Sequence, residues 1–151
     1  LQSYLSYAQQ QLSTAGGDLL PGADALFALG KLHLLESQQA GNAAPRLELE
    51  RAIMLFHAAL VIEPKHSLAA NEAGVALARL GRMNEAKLAL QHSASLTAHP
   101  ATWRNLAAVH ETLGEAQLAQ LAERESAEAK NRWQARSQAA AHRLHRQEPL
   151  R

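Results

Sequence analysis

Eight histidines are the residues in this chain best suited to chemistry. Imidazole ligates metals and exchanges protons near neutral pH. His142 and His145 stand three apart, which places both on one face of a helix. A zinc site needs three or four ligands backed by supporting groups. No acidic cluster adjoins this pair, and the flanking Arg143 and Arg146 oppose a cation. No metal is therefore expected. His33 and His110 read as packing residues with one ring nitrogen satisfied. His57, His66, His92 and His99 read as surface or turn positions.

Catalytic patterns are missing as well. The chain has no glycine-rich phosphate loop, no cysteine nucleophile and no His-Glu-x-x-His pairing. Glu48 and Glu50 are two apart, so a helix points them to different faces. Neither an enzyme nor a cofactor is expected.

The rest of the composition describes the scaffold. The chain has 151 residues, enough for one domain with a real core. Apolar residues make up 47% and aromatics only 4%, so much of the apolar content is Ala and Leu, strong helix formers. Five prolines and eight glycines interrupt it. An all-α protein with closely packed helices follows. Without cysteine there is no disulfide framework, and the compartment stays open, with the cytoplasm as working expectation. No apolar run reaches the roughly 20 residues that span a membrane, and no secretory signal opens the chain. Beginning at Leu1, it reads as a processed or excised piece. The net charge of +1 hides an asymmetry. Up to Ala129 there are 13 acids against 9 bases; from Lys130 onward, 6 bases against one acid. A mildly acidic body carries a basic tail.

Helical spacing recurs along the chain. Leu1, Leu5, Ala8 and Leu12 predict a first helix ended by Gly16-Gly17, and Pro21-Gly22 reads as a turn. Further helices are expected over about 23–37, 47–62, 67–80, 83–97, 101–113 and 115–129. The last runs on to about His145, as a continuation or a separate closing helix. A polar stretch, Gln38 to Arg46, reads as a long loop. Above these elements lies a period. Ala52 is followed by Ala86 and Ala119, and Gly81 by Gly114, at offsets of 33 or 34 residues.

The helix pairs resemble the tetratricopeptide repeat (TPR). Leu26, Leu29, Gly30 and His33, then Ala52, Phe56, Ala59 and Pro64, match one repeat. Ala70, Ala73, Gly74 and Leu77, then Gly81, Ala86, Leu90 and Ser93, match a second. Trp103, Leu106, Ala107 and His110, then Gly114, Ala119 and Ser126, match a third, with Glu123 in a slot that usually holds an aromatic. The resemblance implies an α-solenoid of about three TPR-like helix-turn-helix repeats with N- and C-terminal capping helices. Its parts would be a cap over 1–22, repeats over 23–129 (about 23–64, 65–99 and 100–129), and a basic helix and tail over 130–151. Gly30, Gly74 and Ala107 would mark the closest approach within pairs, met by Ala52, Ala86 and Ala119.

In that family the first helices line a concave groove that holds a peptide of a partner protein. Carried over, the pattern places Phe27, Lys31, Asn71, Glu72, Val75, Arg79, Arg104, Asn105 and Glu111 there. Asn71 and Asn105 would bind a peptide backbone, and Lys31, Arg79 and Arg104 a carboxylate. Phe27 and Glu72 stand where the chaperone-binding carboxylate clamp needs Lys and Asn, so chaperone binding is not expected. The expectation is a non-enzymatic interaction module of a larger protein or complex. One alternative is a spacer or oligomerisation scaffold using the convex face or tail. Another is nucleic-acid or acidic-partner binding by the basic helix. Against that stands a plain capping helix with Trp133, Ala139 and Leu144 turned toward the last repeat, the preferred reading. Membrane insertion is not expected, and the oligomeric state stays open.

Overall fold

Leucine- and alanine-rich stretches broken by Gly and Pro become six helices among the described residues. The computed structural model describes residues 20–39 and 44–147. The helices are α1 (Leu20–Glu36), α2 (Pro45–Ile62), α3 (Ser67–Arg79), α4 (Met83–Leu96), α5 (Pro100–Thr112) and α6 (Ala116–Gln147). The helix expected over residues 1–14 lies outside the described residues.

Proline placement accounts for two differences from the sequence reading. Pro21-Gly22, expected as a turn, lies in the first turn of α1. Pro45, expected in the loop, opens α2. The first turn of a helix has no acceptor for its N–H groups, so a proline there loses nothing. The 81 and 114 turns follow glycine chemistry. Gly81 and Gly114 have φ of 78° and 75°. The N–H of Arg82 reaches the Leu77 carbonyl (3.0 Å), and that of Glu115 reaches His110 (2.9 Å). Both bonds are the six-residue closure of a left-handed helix C-terminus.

Each helix packs antiparallel on its successor in three pairs, α1–α2, α3–α4 and α5–α6, and the pairs stack in chain order. Within a pair, one knob sets the spacing. A Cβ placed on Gly30 would lie 2.6 Å from the Phe56 ring. One on Gly74 would lie 2.6 Å from Leu90 Cγ and 3.2 Å from the Ala86 carbonyl. Phe56, Ala52, Ala86 and Leu90 are wholly buried. The register repeats in the hydrogen bonds: Ser93 Oγ donates to the Ser67 carbonyl (2.8 Å) and Ser126 Oγ to that of Pro100 (2.9 Å). The main core joins Ala73, Leu77, Leu90, Leu106 and Val109. A second cluster around Ala23, Leu26, Leu55 and Ala59 closes the α1 end. Leu29 is exposed although Ala73 and Leu106, at the same repeat position, are buried. Those two are covered by a preceding pair, and no described element precedes α1.

The C-terminal region is a single helix. α6 runs 32 residues, about 48 Å at 1.5 Å per residue. Its first half is the second helix of the third pair. From Lys130 to Ala139 every side chain is exposed. Ala139 faces solvent, which corrects its expected capping contact. Trp133 is half exposed but does turn toward the last repeat, meeting the ring of His99, the N-cap of α5, edge-on at 5.3 Å between centroids. The Leu144 side chain lies outside the described residues.

The knob contact predicts a mutational outcome. Gly74→Leu overpacks the α3–α4 interface and should cost on the order of 1–3 kcal/mol, read as a lowered melting temperature. Gly74→Ala should lose less, because helix propensity returns about 1 kcal/mol.

Candidate functional site

Stacking the pairs lays α1, α3 and α5 side by side, with lighter contact between successive first helices. Asn71 on α3 and Asn105 on α5 face each other. Asn105 Nδ2 donates to Asn71 Oδ1 at 3.2 Å, and Asn71 Nδ2 lies 3.4 Å from Glu72. Asn71 is buried, so its amide braces the neighbouring helix. Asn105 is half-buried, and its side-chain carbonyl oxygen has no hydrogen-bond partner among the described residues. Beside this pair lies a cleft of about 290 Å³. Val75, Ala78, Ala108 and Val109 form its apolar wall, and Arg79 and Asn105 its polar edge. Arg79 is exposed and has no ion-pair partner among the described residues.

The other expected groove residues are divided differently. Lys31 is tied to Glu72 at 3.0 Å, linking α1 to α3. Phe27 is half-buried, its ring set against Phe56 (5.9 Å) and His66 (4.9 Å), so it packs the first pair onto α3. Arg104 and Glu111 line a separate cleft of about 410 Å³ between α5 and α6, with Glu123 and Lys130 opposite. That cleft has a direct cause. Glu123 occupies the slot filled by Phe56 and Leu90 in the first two pairs, and it is exposed. With no apolar knob above Ala107, the third pair stays open there.

The histidines sort by the same repeat. His33 Nδ1 meets Glu48 at 2.6 Å and His110 Nδ1 meets Glu115 at 2.5 Å. Glu48 and Glu115 each stand four residues before the equivalent Ala52 and Ala119, so the two bridges are one device used twice. Facing a carboxylate, each Nδ1 must carry its proton. Arg51 also holds Glu48 (2.8 Å), and Lys87 holds Glu115 (2.7 Å). Their causes act the same way: hydrogen bonding from His33 holds the Glu48 carboxyl below its ordinary value, and that from Lys87, then His110, does so for Glu115. Sequence spacing alone missed that Glu36 joins His33 and Glu48, with ligand atoms within 4.8 Å of one another. Arg51 sits on that cluster and supplies its counter-charge.

His66 lies in a turn, as read, but not at the surface. It is buried, and its Nδ1 accepts from the Ala69 N–H at 3.1 Å, capping α3. Its Nε2 therefore carries the proton, 3.3 Å from Asp24. His99 caps α5 in the same way through the Ala101 N–H. His92 remains exposed and donates to the Pro64 carbonyl. His57 is half-buried, and burial, then Arg82, holds its imidazole below the usual value.

Stacked antiparallel helix pairs of this kind are also found among solved structures. One is TTC0263, a thermophilic TPR protein of Thermus thermophilus (TM-score 0.64, 20% identity, 90% of this chain and 70% of that one). The fold is that of a tetratricopeptide-repeat protein. A point mutant of MamA is similar in structure as well (TM-score 0.67, 18% identity, 82% of this chain and 84% of that one). So is MamA MSR-1 C2 (TM-score 0.61, 18% identity, 87% and 70%). No protein-family model and no curated protein matches the chain by sequence. Among the described residues no helix of this tetratricopeptide fold is long and apolar enough to cross a membrane.

The paired bridges predict acid sensitivity. A carboxyl group held below its unfolded value stabilises the fold above that value, 4.5 for glutamate, and stops doing so as pH falls through the lowered one. The melting temperature should therefore drop on acidification below pH 4.5. Glu48→Gln with Glu115→Gln should lower it at neutral pH and make the acid drop shallower.

Proposed function

We propose that the chain is a non-enzymatic protein–protein interaction module that holds an extended peptide of a partner against α3 and α5. The supporting observation is the cleft beside the Asn71–Asn105 pair, with an apolar wall and, on one edge, an arginine without an ion-pair partner among the described residues. Each element has a task in this reading. The bond to Asn71 fixes the Asn105 amide, leaving its carbonyl to accept a peptide N–H. Val75, Ala78 and Ala108 receive an apolar side chain. Arg79 takes a carboxylate on the ligand or at its C-terminus. The Lys31–Glu72 pair neutralises the α1 end of the face, so ligand charge is read at the α5 end. The wall is built from packed helices, so binding orders only the ligand.

The repeats over 23–64, 65–99 and 100–129 form the binding body in this reading. The exposed segment over 130–139 is a surface apart from it. Such a module takes its role from the protein or complex that carries it.

Peptides selected from a random display library on the wild-type chain provide the probe. Arg79→Ala and Asn105→Ala should each weaken the selected peptide roughly tenfold, about 1.4 kcal/mol, in calorimetric titration. Selected peptides should carry an acidic group next to an apolar residue. If the double variant binds them as tightly as wild type, the site lies elsewhere.

A further inference from the structure

The exposed segment of α6 over residues 130–139 is connected to the folded part by one stripe. Leu118, Leu121, Glu125, Glu128, Arg132 and Arg136 follow one another at three- and four-residue steps, which places them along one line of a helix. All six are at least partly exposed. The same steps continue in the sequence to Ala139, Arg143 and Arg146. The line reads apolar, acidic, basic. Within one chain Arg132 meets Glu128 at 3.2 Å and Glu125 at 3.8 Å, while Arg136 has no acidic partner among the described residues.

Turned end for end, this stripe complements itself. Centred near Lys130, an antiparallel copy sets Glu128 opposite Arg132 of the second copy and Glu125 opposite its Arg136. The same register sets Leu121 opposite Ala139. A parallel copy would instead put acid on acid and base on base. The apolar end of the stripe also borders a groove. Leu118 and Leu121 flank a cleft of about 360 Å³ between α4 and α6, floored by Trp103 and Leu106. The Trp103 indole nitrogen is buried with no acceptor among the described residues. Ala139 of a second copy, which this register sets opposite Leu121, is small enough to enter it. Segments of helix without packing are marginal in water, and residues 130–139 have almost none of their own.

We propose that α6 pairs antiparallel with α6 of a second copy along the α4–α6 flank, making a two-fold dimer. The interface is isologous, with the same patch supplied twice. It uses a different face from the peptide cleft, so either can exist without the other.

Light scattering on the full chain after size exclusion tests this. Wild type should give twice the 16.4 kDa chain mass. The Glu125→Arg/Glu128→Arg variant and the Arg132→Glu/Arg136→Glu variant should each be monomeric, with helix content unchanged by circular dichroism. Mixed one to one, they should recover the doubled mass. A monomeric wild type, whether or not it binds an acidic peptide, overturns the proposal. So do variants that dimerise separately, or a mixture that stays monomeric. If a reversed variant loses helicity, Arg132→Gln/Arg136→Gln serves instead, and a dimer as stable as wild type contradicts the pairing.

Discussion

The contact between a glycine on one helix and a knob on the next decides the geometry of this protein. At Gly30 the knob is Phe56, and at Gly74 it is Leu90, each closer than any added Cβ would allow. That spacing brings paired helices together along their length and buries Ala52 and Ala86 completely. Stacking then follows, because one pair cannot bury its apolar face alone. The third pair shows the consequence of losing the knob. Glu123 faces solvent, and a cleft opens between α5 and α6 beside Ala107.

Polar bonds add register to this packing. In the second and third pairs, Ser93 and Ser126 tie the second helix to the start of its own first helix. His33–Glu48 and His110–Glu115 close the other end of the first and third pairs. The middle pair has Leu77 and Arg82 at these positions, and Arg82 there turns to Glu85. The His–Glu bridge is thus a device of the outer pairs. Between pairs, the Asn71–Asn105 bond and the Lys31–Glu72 ion pair connect the first helices across the proposed binding face.

Periodicity made much of this legible. Alanine and glycine recurring at 33 or 34 residues marked the pairs and their turns, and Gly30 and Gly74 fell at the close approaches because only a missing side chain fits there. Helix ends shifted by up to three residues, and two prolines opened helices instead of breaking the chain. Side-chain partnership was the hidden part. Lys31 and Phe27 have the right position for a groove, yet one is neutralised by Glu72 and the other is packed against Phe56 and His66. Nothing local to either residue records those partners. The His–Glu bridges were readable in principle, since both members recur at the same repeat positions. The exposure of α6 from Lys130 to Ala139 was not, because an Ala- and Arg-rich helix has the same pattern whether or not a body lies beneath it.

The central claim is that the fold presents α3 and α5 as a binding face. Nuclear magnetic resonance of the labelled chain during titration with a library-selected peptide tests it most directly. The account predicts that amide shifts concentrate at Val75, Arg79, Asn105 and Ala108. Shifts confined to the outer surfaces of α2, α4 and α6 would contradict it.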